Sequence, residues 1–155
     1  DALIATSNIQ AANSDLQLKV DQLRSTIGFA LGVLGGEEAT ERLRGMLADS
    51  FPNARFNAAT GLARHGDLAC KEILLEMLNA TSTGVVSGEL EQNHAFKRSV
   101  VAAAALDAVA ALSHHHDADA LAELVAAVEK VSESEDFGNH SKVMAKELIL
   151  KIQNP

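Results

Sequence analysis

From Leu16 the apolar positions run Leu16, Val20, Leu23, Ile27, Leu31 and Leu34, at spacings of three and four that draw one stripe along a helix. Ser14 stands just ahead with Gln17 three residues later, a capping-box pattern that places the helix start there. Gly35-Gly36 stops it, because glycine tolerates the left-handed conformation a helix end requires. A second stripe follows at Ala39, Leu43, Met46 and Leu47. Two helices joined by so short a turn are expected to lie antiparallel and share their apolar faces.

The next segment repeats the first at a shift of 31 positions. Arg24 then pairs with Arg55, Leu31 with Leu62, Gly35 with Gly66, Glu41 with Glu72, Leu43 with Leu74, Met46 with Met77 and Leu47 with Leu78. A weaker third copy appears at a shift of 50, pairing Leu62 with Leu112, Asp67 with Asp117 and Leu74 with Leu124. The expected repeats are 15–49, 53–80 and 95–133, in one domain spanning 1–155. Residues 79–94, rich in Ser, Thr, Gly and Asn, read as an inserted loop, either a place for specificity or a mobile connection without a role. Unpaired helices are expected at 2–12 and 141–152, and apolar Leu148, Ile149 and Ile152 in the last point to a segment of a longer array.

Composition narrows the picture. Of the 155 residues 47% are hydrophobic but only 3% aromatic, so the core must be built from closely packed Leu, Ala, Val and Ile. The formal charge of −8 removes phosphate neutralisation as a default source of binding energy, so nucleic acid is not expected as a partner. The single cysteine, Cys70, cannot close an internal disulfide and reads as a small core side chain. No stretch approaches the roughly 18 apolar residues of a membrane span, and Asp107 interrupts the alanine-rich run Val100 to Leu112. A soluble chain without membrane insertion is expected, with the compartment open and the cytoplasm favoured. The start at Asp1 fits either a removed leader or a trimmed larger protein.

The line Leu47-Ala48-Asp49-Ser50-Phe51-Pro52-Asn53-Ala54-Arg55, continuing to Ala58-Ala59 and Leu62, resembles the HEAT repeat of the phycobilisome-lyase type. Leu31-Gly32-Val33-Leu34-Gly35-Gly36 and His65-Gly66-Asp67 resemble its turn. The resemblance implies an all-α fold, a right-handed α-α superhelix of about seven to eight helices in antiparallel pairs. It also implies that Asp49 and Arg55 form a ladder linking adjacent repeats. Independently, Pro52 suits a helix start and the two charges can bridge the corner between pairs, although Arg55 could instead face a ligand. The likeness loosens from Phe96 to Val131, where Ala105 stands at the arginine position, no glycine closes the turn, and Arg98 is the displaced substitute.

The most conspicuous polar cluster is His114-His115-His116-Asp117 with Asp119, residue types that can ligate zinc. Adjacent histidines on a helix end diverge, and chelation would need His65 or His94 from elsewhere. The better reading is a solvated turn in which Asp117 caps the next helix. No metal or cofactor is therefore expected. HEAT-like deoxyhypusine hydroxylases use paired His-Glu dipeptides, which are missing here, and the alkylpurine glycosylase type needs a basic groove and aromatics that this acidic chain lacks. Nor is there a G-x-S-x-G, phosphate-loop or dinucleotide motif.

The reading that follows is a non-enzymatic module that binds a protein or peptide partner, on its own or within a larger polypeptide or assembly. The alternative is a phycobilin lyase-like subunit acting on a tetrapyrrole, which only the repeat type suggests. In such a solenoid the second helices line the concave face, where one column would be Glu41, Glu72 and Ala122 and another Arg44, Leu75 and Val125. The candidate partner-binding residues are Glu41, Arg44, Glu72, Leu75 and Val125, unless inserted or terminal segments cover the apolar ones.

Overall fold

A computed structural model describes the backbone of residues 2–153 and the side-chain surroundings of residues 13–153. Among the described residues the regular structure is helical throughout, with no strand. Helices α1 (Ala2–Leu34) and α2 (Glu37–Met46) form the first hairpin. The second comprises α3 (Pro52–Arg64) and α4 (Lys71–Met77), with the 3-10 turn Leu68–Cys70 leading into α4. The third comprises α5 (His94–Leu112) and α6 (Ala122–Glu133), and α7 (Asn139–Gln153) follows. Successive first helices α1, α3, α5 and α7 pack side by side as one layer, and α2, α4 and α6 lie against them as a second. The expected all-α stack of antiparallel pairs is thus observed.

Local chemistry places the joints. Pro52 occupies the first turn of α3, where its missing N–H would have had no helical partner anyway. Gly35 and Gly66 close the first two turns with φ of 67° and 76°, conformations that an L side chain resists. Between the layers Leu43, Leu62, Leu74, Leu106, Leu112, Leu124, Val128 and Val131 are buried, with Ala58, Ala59, Ala63, Ala102 and Ala105 filling the narrow spaces.

Two expectations need correction. The helix expected at 2–12 and the one expected from residue 15 are a single helix, α1, because neither Gly nor Pro interrupts the chain between Ala2 and Ile27. Ser14 therefore lies inside a helix rather than capping one, and Gln17 Nε2 donates forward to Asp21 Oδ1 at 2.8 Å. The side chains of residues 2–12 lie outside the described ones.

The leucine stripe of α1 is not shared with α2 as expected. Leu16, Val20, Leu23, Ile27 and Leu34 are exposed, and of the stripe only Leu31 packs on the core. Instead α1 meets α3 through small residues: a Cβ added to Gly32 would stand 2.6 Å from Gly61 Cα. Glycine against glycine lets two backbones touch, whereas leucine would hold them apart.

The insert is a loop as expected, and it is anchored to the fold. Val85 and Val86 are buried in the common core, Arg98 Nη1 donates to the Ser82 carbonyl at 3.1 Å, and α5 begins at His94. The expected terminal helix 141–152 is α7, which packs on α5 and α6 with Ala145 and Leu148 in the core.

Candidate protein-binding face

Successive second helices bring the expected columns onto one layer. Glu41 and Glu72 are exposed, and Arg44 is half-exposed. Leu75 and Val125 are half-buried and pack against the core, so they are less exposed than the sequence columns imply. Arg44 is engaged rather than free: its Nε lies 2.7 Å from Asp67 Oδ2, and its Nη1 3.2 Å from Glu41 Oε2. The hydrogen bond to Asp67 is the main reason that the Arg44 guanidinium is held above its ordinary pKa. Further along, Lys71 Nζ sits 2.8 Å from Glu123 Oε1, and that bond likewise raises the lysine. One ion pair thus ties α2 to the turn before α4, and the other ties α4 to α6.

Beside this layer an open groove of about 1800 Å³ runs between α1 and α2. Ile27, Leu31, Leu34 and Met46 supply its apolar wall, and Glu37, Glu38, Glu41, Arg42 and Arg44 its polar one.

At the first joint Asp49 and Arg55 both take part, but not as the expected pair: the Asp49 carboxylate goes to Arg24, and Arg55 takes the Asp49 main-chain carbonyl. Arg24 Nη2 donates to Asp49 Oδ1 at 3.1 Å, and Arg24 Nε approaches Oδ2 at 2.9 Å as an ion pair without hydrogen-bond alignment. Asp49 also accepts from the Phe51 N–H at 2.8 Å, which fixes the corner ahead of Pro52. Arg55 reaches the Asp49 carbonyl at 2.9 Å with Nη1 and Glu76 Oε1 at 2.9 Å with Nη2. Glu76 was not anticipated, and the 31-residue shift could not have shown it, since its counterpart is Gly45. Arg98, bonded to the Ser82 carbonyl, repeats the backbone half of the Arg55 arrangement beyond the insert.

Histidines complete the joints. His65 Nε2 donates to the Gly32 carbonyl at 2.9 Å, and its ring lies so close to Gly35 that a Cβ there would come within 2.6 Å. At the next joint His116 Nε2 donates to the Gly66 carbonyl at 2.7 Å, and the His115 ring covers Gly66. The histidine run therefore clasps the preceding turn. Asp117 accepts from the Ala120 N–H at 2.9 Å, as Asp67 does from Ala69, so it caps the turn ahead of α6 rather than the helix itself. Among the described residues no group of three or more His, Cys, Asp or Glu converges as a metal site.

Cys70 is buried, its thiol donating to the Asp67 carbonyl at 3.0 Å. Burial first, and then the Asp67 charge, push its pKa up to about 12, which suits a core residue rather than a nucleophile. Among the described residues no helix is long and apolar enough to cross a membrane.

Comparison with protein families matches residues 17–95 to a model described as HEAT repeats. No curated protein and no solved structure matches the chain.

Proposed function

The chain belongs to the HEAT-repeat proteins, and from that premise we propose that it is a non-enzymatic scaffold whose α2, α4 and α6 face binds a protein or peptide. The observation that carries this reading is the column repeated in one register: Glu41 with Arg44, Glu72 with Leu75, and Ala122 with Val125. Half-buried apolar groups beside charges are what a partner desolvates at the centre and meets with hydrogen bonds at the rim. Exposed Glu41 and Glu72 on a chain of charge −8 favour a partner segment carrying Lys or Arg. The bonded positions of Asp49 and Arg55 favour the phycobilisome-lyase-like repeat subtype, a statement about architecture that brings no lyase chemistry with it.

The test compares proteins captured from lysate by the wild type, by Glu41→Lys/Glu72→Lys, and by a control, Lys146→Glu, on α7. We expect one partner retained by the wild type and control and lost, with helicity unchanged, by the double variant. Equal recovery by all three refutes this face.

A further inference from the structure

We propose that α1 is a self-pairing helix, its exposed seam Leu16, Val20, Leu23, Ile27, Ala30 and Leu34 closing against the same seam of a second copy in antiparallel orientation. These positions alternate steps of four and three, the spacing that keeps one narrow stripe facing a partner helix. All six are exposed, with Leu16 at 62%, Leu23 at 60% and Leu34 at 80%.

The internal stacking interface shows that this face is built for another kind of contact. Helix α3 lies on α1 through Ala54, Asn57, Gly61 and His65: the Ala54 carbonyl approaches Gly28, Asn57 donates to Ser25, Gly61 meets Gly32, and His65 bonds the Gly32 carbonyl. At the 31-residue shift their counterparts on α1 are Leu23, Thr26, Ala30 and Leu34. Two of the small or polar groups that permit close stacking and hydrogen-bonded clasps have become leucine. Thr26 turns its hydroxyl back to the Gln22 carbonyl at 2.9 Å. A face at the register of the stacking interface, on the side of α1 turned away from α3 and stripped of its polar joints, fits a leucine-type helix seam.

The order of residues argues for a second copy. Paired antiparallel about position 25, Leu16 meets Leu34, Val20 meets Ala30 and Leu23 meets Ile27, so every large side chain finds an apolar one. The like charges brought together at the centre, Arg24 with Arg24, are each already held by Asp21 and Asp49. The stripe exposes on the order of 500 Å² of apolar surface, at the upper end of what a monomer leaves uncovered. A standard interface of about 800 Å² per partner is a little over half apolar, so a stripe of this size matches its apolar share.

Sedimentation equilibrium of the full chain over a range of concentrations tests the proposal. The expected mass is twice 16.3 kDa, falling to 16.3 kDa in Leu23→Glu/Ile27→Glu with helicity and Tm retained. Because both side chains are exposed in the single chain, folding is not at stake. Thr26→Cys, at the rim beside the dyad, should form an interchain disulfide with oxidised glutathione, whereas Leu18→Cys on the opposite face should not. A wild type that stays monomeric, a dimer that survives the double substitution, or a seam that binds only a helix of another protein overturns it. None of these results depends on the α2, α4 and α6 face.

Discussion

Gly32 and Gly45 both sit in helices, and replacing each with alanine should change stability in opposite directions. The intrinsic preference of a helix for alanine over glycine is worth roughly 1 kcal/mol at either site. At Gly45 nothing lies within 4 Å of the added Cβ, so Gly45→Ala should gain about 0.5–1 kcal/mol. At Gly32 the same atom would stand 2.6 Å from Gly61 Cα, about 1 Å inside the best carbon–carbon separation. That neighbour is backbone, with no side chain to swing aside, so α1 and α3 must separate and loosen the packing along their contact. Overpacking costs typically 1–3 kcal/mol, and a backbone clash belongs near the top of that range. The net expectation for Gly32→Ala is a loss of about 1–2 kcal/mol, at roughly 2–4 °C in Tm per kcal/mol for a chain of this size. Thermal and urea unfolding followed by circular dichroism at 222 nm would measure both. If Gly32→Ala raises Tm as Gly45→Ala does, the two backbones do not touch and the account of the first layer is wrong.

Two further outcomes follow from buried polar groups. Cys70, with its pKa raised to about 12 from an ordinary 9.0, should label with a thiol reagent at pH 8 only on unfolding. The native state holds this thiol protonated, so its contribution to stability is complete below about pH 9 and declines as pH rises towards 12, which urea titrations at several pH values would follow. Arg55→Ala leaves the mostly buried Glu76 carboxylate and the Asp49 carbonyl without the arginine, and should cost about 1–3 kcal/mol in urea midpoint analysis. A neutral result there would show that Arg55 serves something outside the fold.

How far the sequence could be read depended on which side chains carry the contact. Leu43 and Leu74, or Leu62 and Leu112, repeat because each fills the same place between the two layers, and so the stack of hairpins was visible from their spacing. The stripe on α1 has the same spacing and does not fill that place. A period of three and four marks a face that wants covering without saying whether this chain covers it, and here the contact runs through Gly28 and Gly32. The joints were legible only where both ends repeat. His65 and His115 share the 50-residue shift and both cover a glycine turn, but the bonding nitrogen in the later joint belongs to His116, one position on. Glu76 was invisible because it meets Arg55 across 21 positions without any counterpart in the first repeat.

The two layers are joined by different physics, and the difference bears on how a partner could bind. In the first layer the joints are backbone against backbone, Gly32 on Gly61, and imidazoles bonded to the carbonyls of Gly32 and Gly66. Polar groups so bonded lose more when broken than when displaced together, which holds successive hairpins in one register. In the second layer the links are ion pairs on flexible stems, Arg44 to Asp67 and Lys71 to Glu123, open to water and screened by salt. Such links can exchange one carboxylate for another without exposing the core. The basic segment proposed to bind at Glu41 and Glu72 would therefore meet charges that can rearrange to receive it, over apolar side chains that do not have to.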